Sequence, residues 1–288
     1  MQRTKDYYLA LGYDNPYQWA HFTDTPFTKF EKDLSSAKIS IVTTAAPFQP
    51  DKGDQSGAVY NADAKFYRVY TKPIDPIPDL RIAHVAIDRD HTSAEDIGSY
   101  LPLNALKKSQ TEGVIESIGN RLYGLPTNRS KRTTTEQDIP ELIAMIQDDQ
   151  VDAVVLVPNC PICHQSVSLA ARAIEDSGIP TVIMGCAKDI VEHCGVPRFV
   201  FSDFPLGNGA GKPHDIGSQD ETLRLALKLL VEAEAPRSTV ISPLEWAANH
   251  DWKLDYSNAD RLTEDEIKTR RAAFDAGKTA AKAIRDQS

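Results

Sequence analysis

Four cysteines in this chain of 288 residues, Cys160, Cys163, Cys186 and Cys194, fall within one short window. The first two lie in "NCPICHQ", where Cys160-Pro161-Ile162-Cys163-His164 spells C-x-x-C followed by histidine. That spacing can serve covalent haem attachment, half of a zinc site, disulfide exchange or an activated nucleophile. Haem attachment belongs to exported proteins, and this motif grows directly out of an apolar run. Structural zinc needs four ligands, usually as two knuckles. Cys186 and Cys194 would have to complete such a site across an intervening helix and strand, so no metal is expected. Thiol chemistry fits the spacing better.

The reason is position. "VDAVVLVP" over 151–158 is a continuous apolar run, as a strand buried on both faces requires. A helix is predicted over roughly 163–177, stopping at Gly178. Cys160 then occupies a strand-to-helix turn, and Pro161 can start the helix because it has no N–H to satisfy. Unpaired N–H groups and the positive end of the helix dipole favour a thiolate there. Such surroundings take a cysteine from about 8.5 to roughly 3.5–7.5. Cys163, one turn further on, faces the same way and is within reach of a disulfide. The residues therefore read as a nucleophile, Cys160, and a resolving thiol, Cys163. His164 stays open between a satisfied helix histidine and a catalytic one.

Several elements must hold this motif. "KISIVTTAA" (38–46), "LRIAHVAI" (80–87), "PTVIMG" (180–185) and "RFVFSDF" (198–204) read as strands. Helices are expected from Pro26 to about Ser35 with Thr25 as N-cap, over "LNALKKSQ", and from Asp138 and Pro140. Capping boxes at Ser218/Glu221 and Thr263/Glu266 open two more, the last a C-terminal helix of about twenty residues. "GVIESIGNRLYG" reads as a small hairpin or irregular strands. Residues 47 to 78 read as a long loop, and 1 to 24 as an aperiodic arm. Strands alternating with helices predict an α/β fold, a mostly parallel doubly wound sheet (flavodoxin- or Rossmann-like) with helices on both faces. One body or two related α/β lobes would satisfy the pattern. The expected division is an arm at 1–36, a body at 37–247 and a helical tail at 248–288.

In such sheets ligands bind beyond the carboxyl ends of the strands. Those ends supply the candidate substrate contacts Thr44, Ala45, Asp88, Asn159, Cys186 and Asp203. His91, flanked by Asp88 and Asp90 at a polar strand end, is the better acid/base candidate, with His84 inside the same strand as the second.

Composition excludes some partners. Net charge is -9, and the densest basic group is only Arg129, Lys131 and Arg132, which argues against nucleic acid or an anionic membrane. No run reaches 18 apolar residues, so no membrane span is expected. The N-terminal residues lack the apolar core of a signal peptide, so a cytoplasmic location is expected. The arm and tail suggest a homo-oligomer.

A likeness to known sequences joins these readings. "VDAVVLVPNCPICHQSVSLAARAIEDSGIPTV" resembles the selenoprotein B family of the glycine, sarcosine, betaine and D-proline reductases. "HVAIDRDHTSAEDIGSYLPLNALKKSQTEGVIESIGNRLYG" and "VPRFVFSDFPLGNGAGKPHD" are similar to its segments on either side, so the likeness covers roughly residues 37 to 247. The resemblance implies reductive C–X cleavage in a small amino-acid-like molecule. A selenocysteine attacks in the selenium members; Cys160 matches it here, with sulfur for selenium and Cys163 as resolver. It further implies an external dithiol reductant and a partner subunit carrying a pyruvoyl group. His91 or His84 would then protonate the leaving group, and Arg198 could hold a substrate carboxylate. Two alternatives remain. One is a cofactor-independent isomerase or racemase using Cys160 and Cys186; the other is a non-catalytic redox- or metal-sensing subunit.

Overall fold

Apolar strands and the helices between them assemble into one eight-stranded sheet, seen in a computed structural model that describes residues 1–12, 17–48, 68–82, 84, 86–127 and 130–287. In chain order come α1 (Gln2–Ala10), β1 (Lys38–Thr43), β2 (Ala46–Pro47), β3 (Tyr70–Pro73), β4 (Leu80–Arg81) and α2 (Leu103–Thr111). Next are β5 (Ser117–Ile118), β6 (Arg121–Gly124), α3 (Lys131–Thr133), α4 (Ile139–Asp148), β7 (Ala153–Val157) and α5 (Pro161–Asp176). The chain ends with β8 (Thr181–Gly185), α6 (Lys188–Cys194), β9 (Arg198–Phe201), α7 (Ile216–Glu232), β10 (Ser238–Ile241) and α8 (Glu264–Gln287). The strand order is β10-β9-β8-β7-β1-β6-β3, with β5 also on β1. Within this sheet β3 pairs antiparallel with β6, and the other pairings are parallel. This is the expected α/β class, gathered into a single sheet rather than two lobes.

Side-chain alternation along each strand divides the core in two. Ile39, Ile41, Val155 and Met184 pack with Leu106 of α2 and Leu227 of α7. Val42, Val154, Leu156 and Ile183 pack with Leu142 of α4, Ile174 of α5 and Val191 of α6. All of β7 is buried, which is why its sequence is apolar without alternation. Truncating one of its larger members, as in Leu156→Ala, would cost about 2–5 kcal/mol.

The winding fixes where a ligand can bind. From β1 the chain moves to β5 and β6 on one side, then returns to β7 on the other side of β1 and runs outward to β10. The carboxyl ends of β1 and β7 therefore flank the topological switch point, the place where such sheets bind ligands.

At the opposite, amino ends of the strands lies a buried ion pair. Arg198 Nη1 donates to Glu175 Oε1 at 2.7 Å, and both side chains are fully buried. The same carboxylate accepts from Thr181 N–H (2.5 Å) and Thr28 N–H (2.5 Å), so it pins β8 and the N-terminal segment together.

Several local expectations are corrected. Among the described residues of 80–87 only Leu80 and Arg81 form strand, paired antiparallel with Pro47 and Ala46 outside the main sheet. Ile82 and Ile87 are buried in the core without a sheet ladder, and His84 lies outside any strand. The "GVIESIGNRLYG" stretch is no hairpin, since β5 and β6 both run parallel to β1. Residues 26–33 are not helical. Thr28 there is bound to Glu175 and Phe27 lies under the Arg198 guanidinium, tertiary contacts that override the local helix signal. Conversely, α1 forms inside the arm read as aperiodic. The cap of α7 is Asp215 rather than Ser218: Ser218 N–H donates to Asp215 Oδ1 at 3.0 Å, while its hydroxyl accepts from Lys212 N–H. The Thr263/Glu266 box does form, with Glu266 N–H on Thr263 Oγ1 and Thr263 N–H on the Glu266 carboxylate. The long loop contains β3, while its residues 49–67, like Arg129, lie outside the described residues. No described helix is long and apolar enough to cross a membrane.

Candidate functional site

Cys160 ends the β7 turn and is the N-cap of α5, with extended backbone (φ -120, ψ 171) and Pro161 in the first turn. Its sulfur accepts the Cys163 backbone N–H at 3.3 Å, taking the place of the usual capping oxygen. The two sulfurs are 2.7 Å apart, one donating its S–H to the other, and neither is in a disulfide. Both cysteines are buried. A Cys160 thiolate here is held by the Cys163 thiol and by the Cys163 backbone N–H.

Three neighbouring strand ends surround the pair. Past β1, Thr44 accepts the Asn159 N–H on its hydroxyl (3.1 Å), tying the ends of β1 and β7 together. Past β6, Thr127 Oγ1 lies 3.7 Å from Cys163 Sγ and is hydrogen-bonded to His84 Nε2. One nitrogen of His84 and the two sulfurs lie within 4.8 Å of one another. Thr44, Ala45, His84 and Thr127 also line a small cavity of about 10 Å³, room for about one water molecule.

Burial works against ionisation of Cys163. The hydrogen bond from Cys160, then the polar influence of His84 and Thr44, outweigh it and hold this thiol well below its ordinary range. The two other cysteines differ sharply. Burial pushes both Cys186 and Cys194 up to about 12. The acid shift therefore falls on the residue that the sequence marked as resolver.

His164 proves to be a satisfied buried histidine. Its Nδ1 bonds the Cys160 carbonyl (2.7 Å), and its Nε2 accepts N–H groups from Cys186 (2.9 Å) and Ala187 (3.1 Å). The ring is thus neutral, and burial, the largest influence, lowers its pKa. It clamps the turn after β7 against the turn after β8.

His91 is placed elsewhere. Its Nδ1 meets Asp88 Oδ1 at 2.9 Å and its Nε2 meets Asp255 Oδ2 at 3.3 Å, so it joins a body carboxylate to the C-terminal segment. Trp252 packs edge-on to the ring at 6.2 Å. Desolvation lowers the His91 pKa, but Asp88, Asp255 and Asp90 prevail and raise it. Burial, in turn, raises Asp88. Burial, the largest influence, holds the Tyr256 phenol above the usual range.

The remaining candidates separate. Asn159 is fully buried at the β7 end, with neither side-chain polar atom hydrogen-bonded. Asp203 pairs with Lys253 of the C-terminal segment. Arg198, committed to Glu175 at the amino end of β9, is not near the thiols' end of the sheet. Thr127 was not foreseen, because "RLYGLPT" carries no signal beyond a strand followed by a turn. His84, Cys160 and Cys163 are the one cluster of three potential metal ligands among the described residues, and it excludes Cys186 and Cys194.

Comparison with known proteins adds a family. The model of the glycine/sarcosine/betaine reductase selenoprotein B family matches residues 11–159, ending immediately before Cys160. The D-proline reductase subunit gamma of Acetoanaerobium sticklandii is 29% identical over 231 residues, covering 78% of this chain and 89% of the relative. The glycine reductase complex component B subunit gamma of Symbiobacterium thermophilum is 26% identical, over 78% of this chain and 52% of its own length. That of Peptoclostridium acidaminophilum is 28% identical, over 69% of this chain and 46% of its own. The chain thus spans about half of these two longer relatives and most of the D-proline reductase subunit. No solved structure matches.

Proposed function

The chain belongs to the glycine/sarcosine/betaine reductase selenoprotein B family, and on that premise we propose that it is the thiol-bearing subunit of a reductase that cleaves a C–X bond. The substrate is a small amino-acid-like molecule, held with the help of a partner subunit. A pyruvoyl group on that partner, as the resemblance implies, would supply the carbonyl that captures an amine. The observation that carries the reading is the Cys160–Cys163 pair, 2.7 Å apart at a helix start on the switch point.

The steps balance with these residues. A Cys160 thiolate attacks the carbon bearing X, forming S–C as C–X breaks, and X leaves with the electron pair and takes a proton. His84, rather than His91, is the acid beside the sulfurs. Cys163 then attacks the Cys160 sulfur, forming the disulfide and returning the S–C electron pair to carbon, which is protonated. The substrate has gained two electrons, and an external dithiol reduces the disulfide. Closing it needs the sulfurs to move from 2.7 Å to about 2.05 Å, while Cα positions one helical turn apart suit the bridge.

The lowered pKa of Cys163 favours a second order of events, in which Cys163 attacks and Cys160 resolves. The chain, co-expressed with its partner subunit, is assayed with amino-acid substrates and dithiothreitol. Turnover lost in both Cys160→Ser and Cys163→Ser supports the dithiol reading, and turnover kept in either defeats it. Mass spectrometry of the adduct decides the order: trapping on Cys160 in Cys163→Ser supports the first, trapping on Cys163 in Cys160→Ser the second. The isomerase alternative needs an ionisable Cys186, and burial acts against that.

A further inference from the structure

We propose that His84, Cys160 and Cys163 form a binding site for a thiophilic divalent cation, zinc by its chemistry, available only while the cysteine pair is reduced. One His84 nitrogen and the two sulfurs already lie within 4.8 Å of one another, and all three residues are buried. The histidine provides the second observation. Its Nε2 is engaged by the Thr127 hydroxyl, while its Nδ1 is buried with no hydrogen-bond partner. A ligating imidazole typically has one nitrogen on the metal and the other held by an outer oxygen that fixes its tautomer. His84 has the outer oxygen in place and a second ring nitrogen without a hydrogen-bond partner.

The donor set selects the ion. Two thiolates and an imidazole suit zinc, and three protein ligands leave a fourth position open, as in sites that also bind a water or a substrate. Cys160 and Cys163 supply the chelating C-x-x-C, and Cys163 N–H already points at the Cys160 sulfur. Metal-bound sulfurs at bond lengths of about 2.3 Å stand roughly 3.8 Å apart in a tetrahedral site. The pair must therefore open from 2.7 Å by side-chain rotation. Binding releases the two thiol protons, and a disulfide has no thiolate to offer. Bound zinc would occupy both sulfurs, blocking attack on a substrate and closure to a disulfide alike. The site needs these donors and not turnover, so it stands independently of the reductase reading.

The test uses the full chain, reduced with a phosphine and freed of metal. Zn2+ is titrated against a chromophoric chelator, and Co2+ serves as a spectroscopic probe. The expected result is one equivalent bound, with thiolate-to-cobalt charge-transfer absorption. His84→Ala should weaken binding about tenfold or more, and Cys186→Ser should leave it unchanged. His84→Gln, which can still hydrogen-bond Thr127 but offers no ring nitrogen, should lose affinity likewise and covers the case of an unfolded alanine variant. Protein oxidised to the Cys160–Cys163 disulfide should bind none. Substoichiometric binding by reduced wild type, retained affinity in His84→Gln, or equal loss in Cys186→Ser would overturn the proposal.

Discussion

His164 and Cys186 are joined between neighbouring strand ends: the His164 Nε2 accepts the Cys186 backbone N–H at 2.9 Å. With Ala187 N–H on the same nitrogen and Nδ1 on the Cys160 carbonyl, one imidazole sets the relative position of two strand ends. The space around it is closed, since a Cβ added at Gly185 would come within 2.8 Å of Nε2. His164→Ala strands the Cys186 and Ala187 N–H groups in a buried place, so urea unfolding should show a loss of about 2–4 kcal/mol. A variant as stable as wild type would remove the clamp role.

The same residue sets a pH dependence. Burial lowers the His164 pKa in the folded state, whereas the unfolded chain protonates it near about 6.5. Unfolding therefore takes up a proton below that pH. This contribution to stability is complete above about 6.5 and declines as pH falls toward the depressed folded value. Denaturation midpoints measured from pH 8 to pH 5 should fall less in a stably folded His164→Asn variant than in wild type.

Thiol reactivity should divide the four cysteines into two classes. Burial holds Cys186 and Cys194 up near 12, whereas its thiol and imidazole neighbours draw Cys163 down against burial. Native protein treated with iodoacetamide across pH should be alkylated within the 160/163 pair, with a midpoint below the ordinary thiol value of about 8.5. Cys194 should react only after unfolding. Peptide mapping with equal rates for Cys163 and Cys194 would sink this assignment.

The Glu175–Arg198 pair should matter to stability and not to thiol chemistry. Breaking a buried pair by Arg198→Met leaves the carboxylate uncompensated, and a loss of about 3–5 kcal/mol is expected. The double substitution Glu175→Gln with Arg198→Met should recover part of it, read by thermal and urea unfolding. The alkylation midpoint of the cysteine pair should be unchanged, because the ion pair lies at the amino ends of the strands.

The His91 contact should loosen the C-terminal segment at high pH. Desolvation opposes its charge, yet Asp88, Asp255 and Asp90 raise its folded pKa above the unfolded value. The stabilisation is therefore full below about 6.5 and is lost as pH rises through the raised value. Hydrogen exchange across residues 251–262 should speed up over that interval in wild type. In His91→Gln the rise should disappear.

The sequence carried the parts of this architecture that depend on continuous burial or on a cap. The run ending at Val157, the Cys160–Pro161 helix start and the Thr263/Glu266 box follow from local chemistry and are seen. What it hid depends on distant partners. Residues 26–33 read as a helix until Glu175 and Arg198 claim them, and 80–87 reads as a sheet strand though only two of its described residues pair. His84 lies beside the thiols and outside any strand, whereas His91 is captured by Asp255 of the C-terminal segment. Thr127 could be recognised only once β6 was known to lie beside β1.

Cys160 couples its own chemistry to the backbone through its position as the cap of α5. The sulfur that gives or receives a proton in the pair also terminates a hydrogen-bonding ladder of sixteen residues. Oxidation, alkylation or metal ligation at this atom changes its strength as an acceptor for the Cys163 N–H, so each chemical state of the pair carries its own backbone signature. The amide resonances of the first turn of α5 become a built-in gauge of redox state, readable without substrate, partner or label.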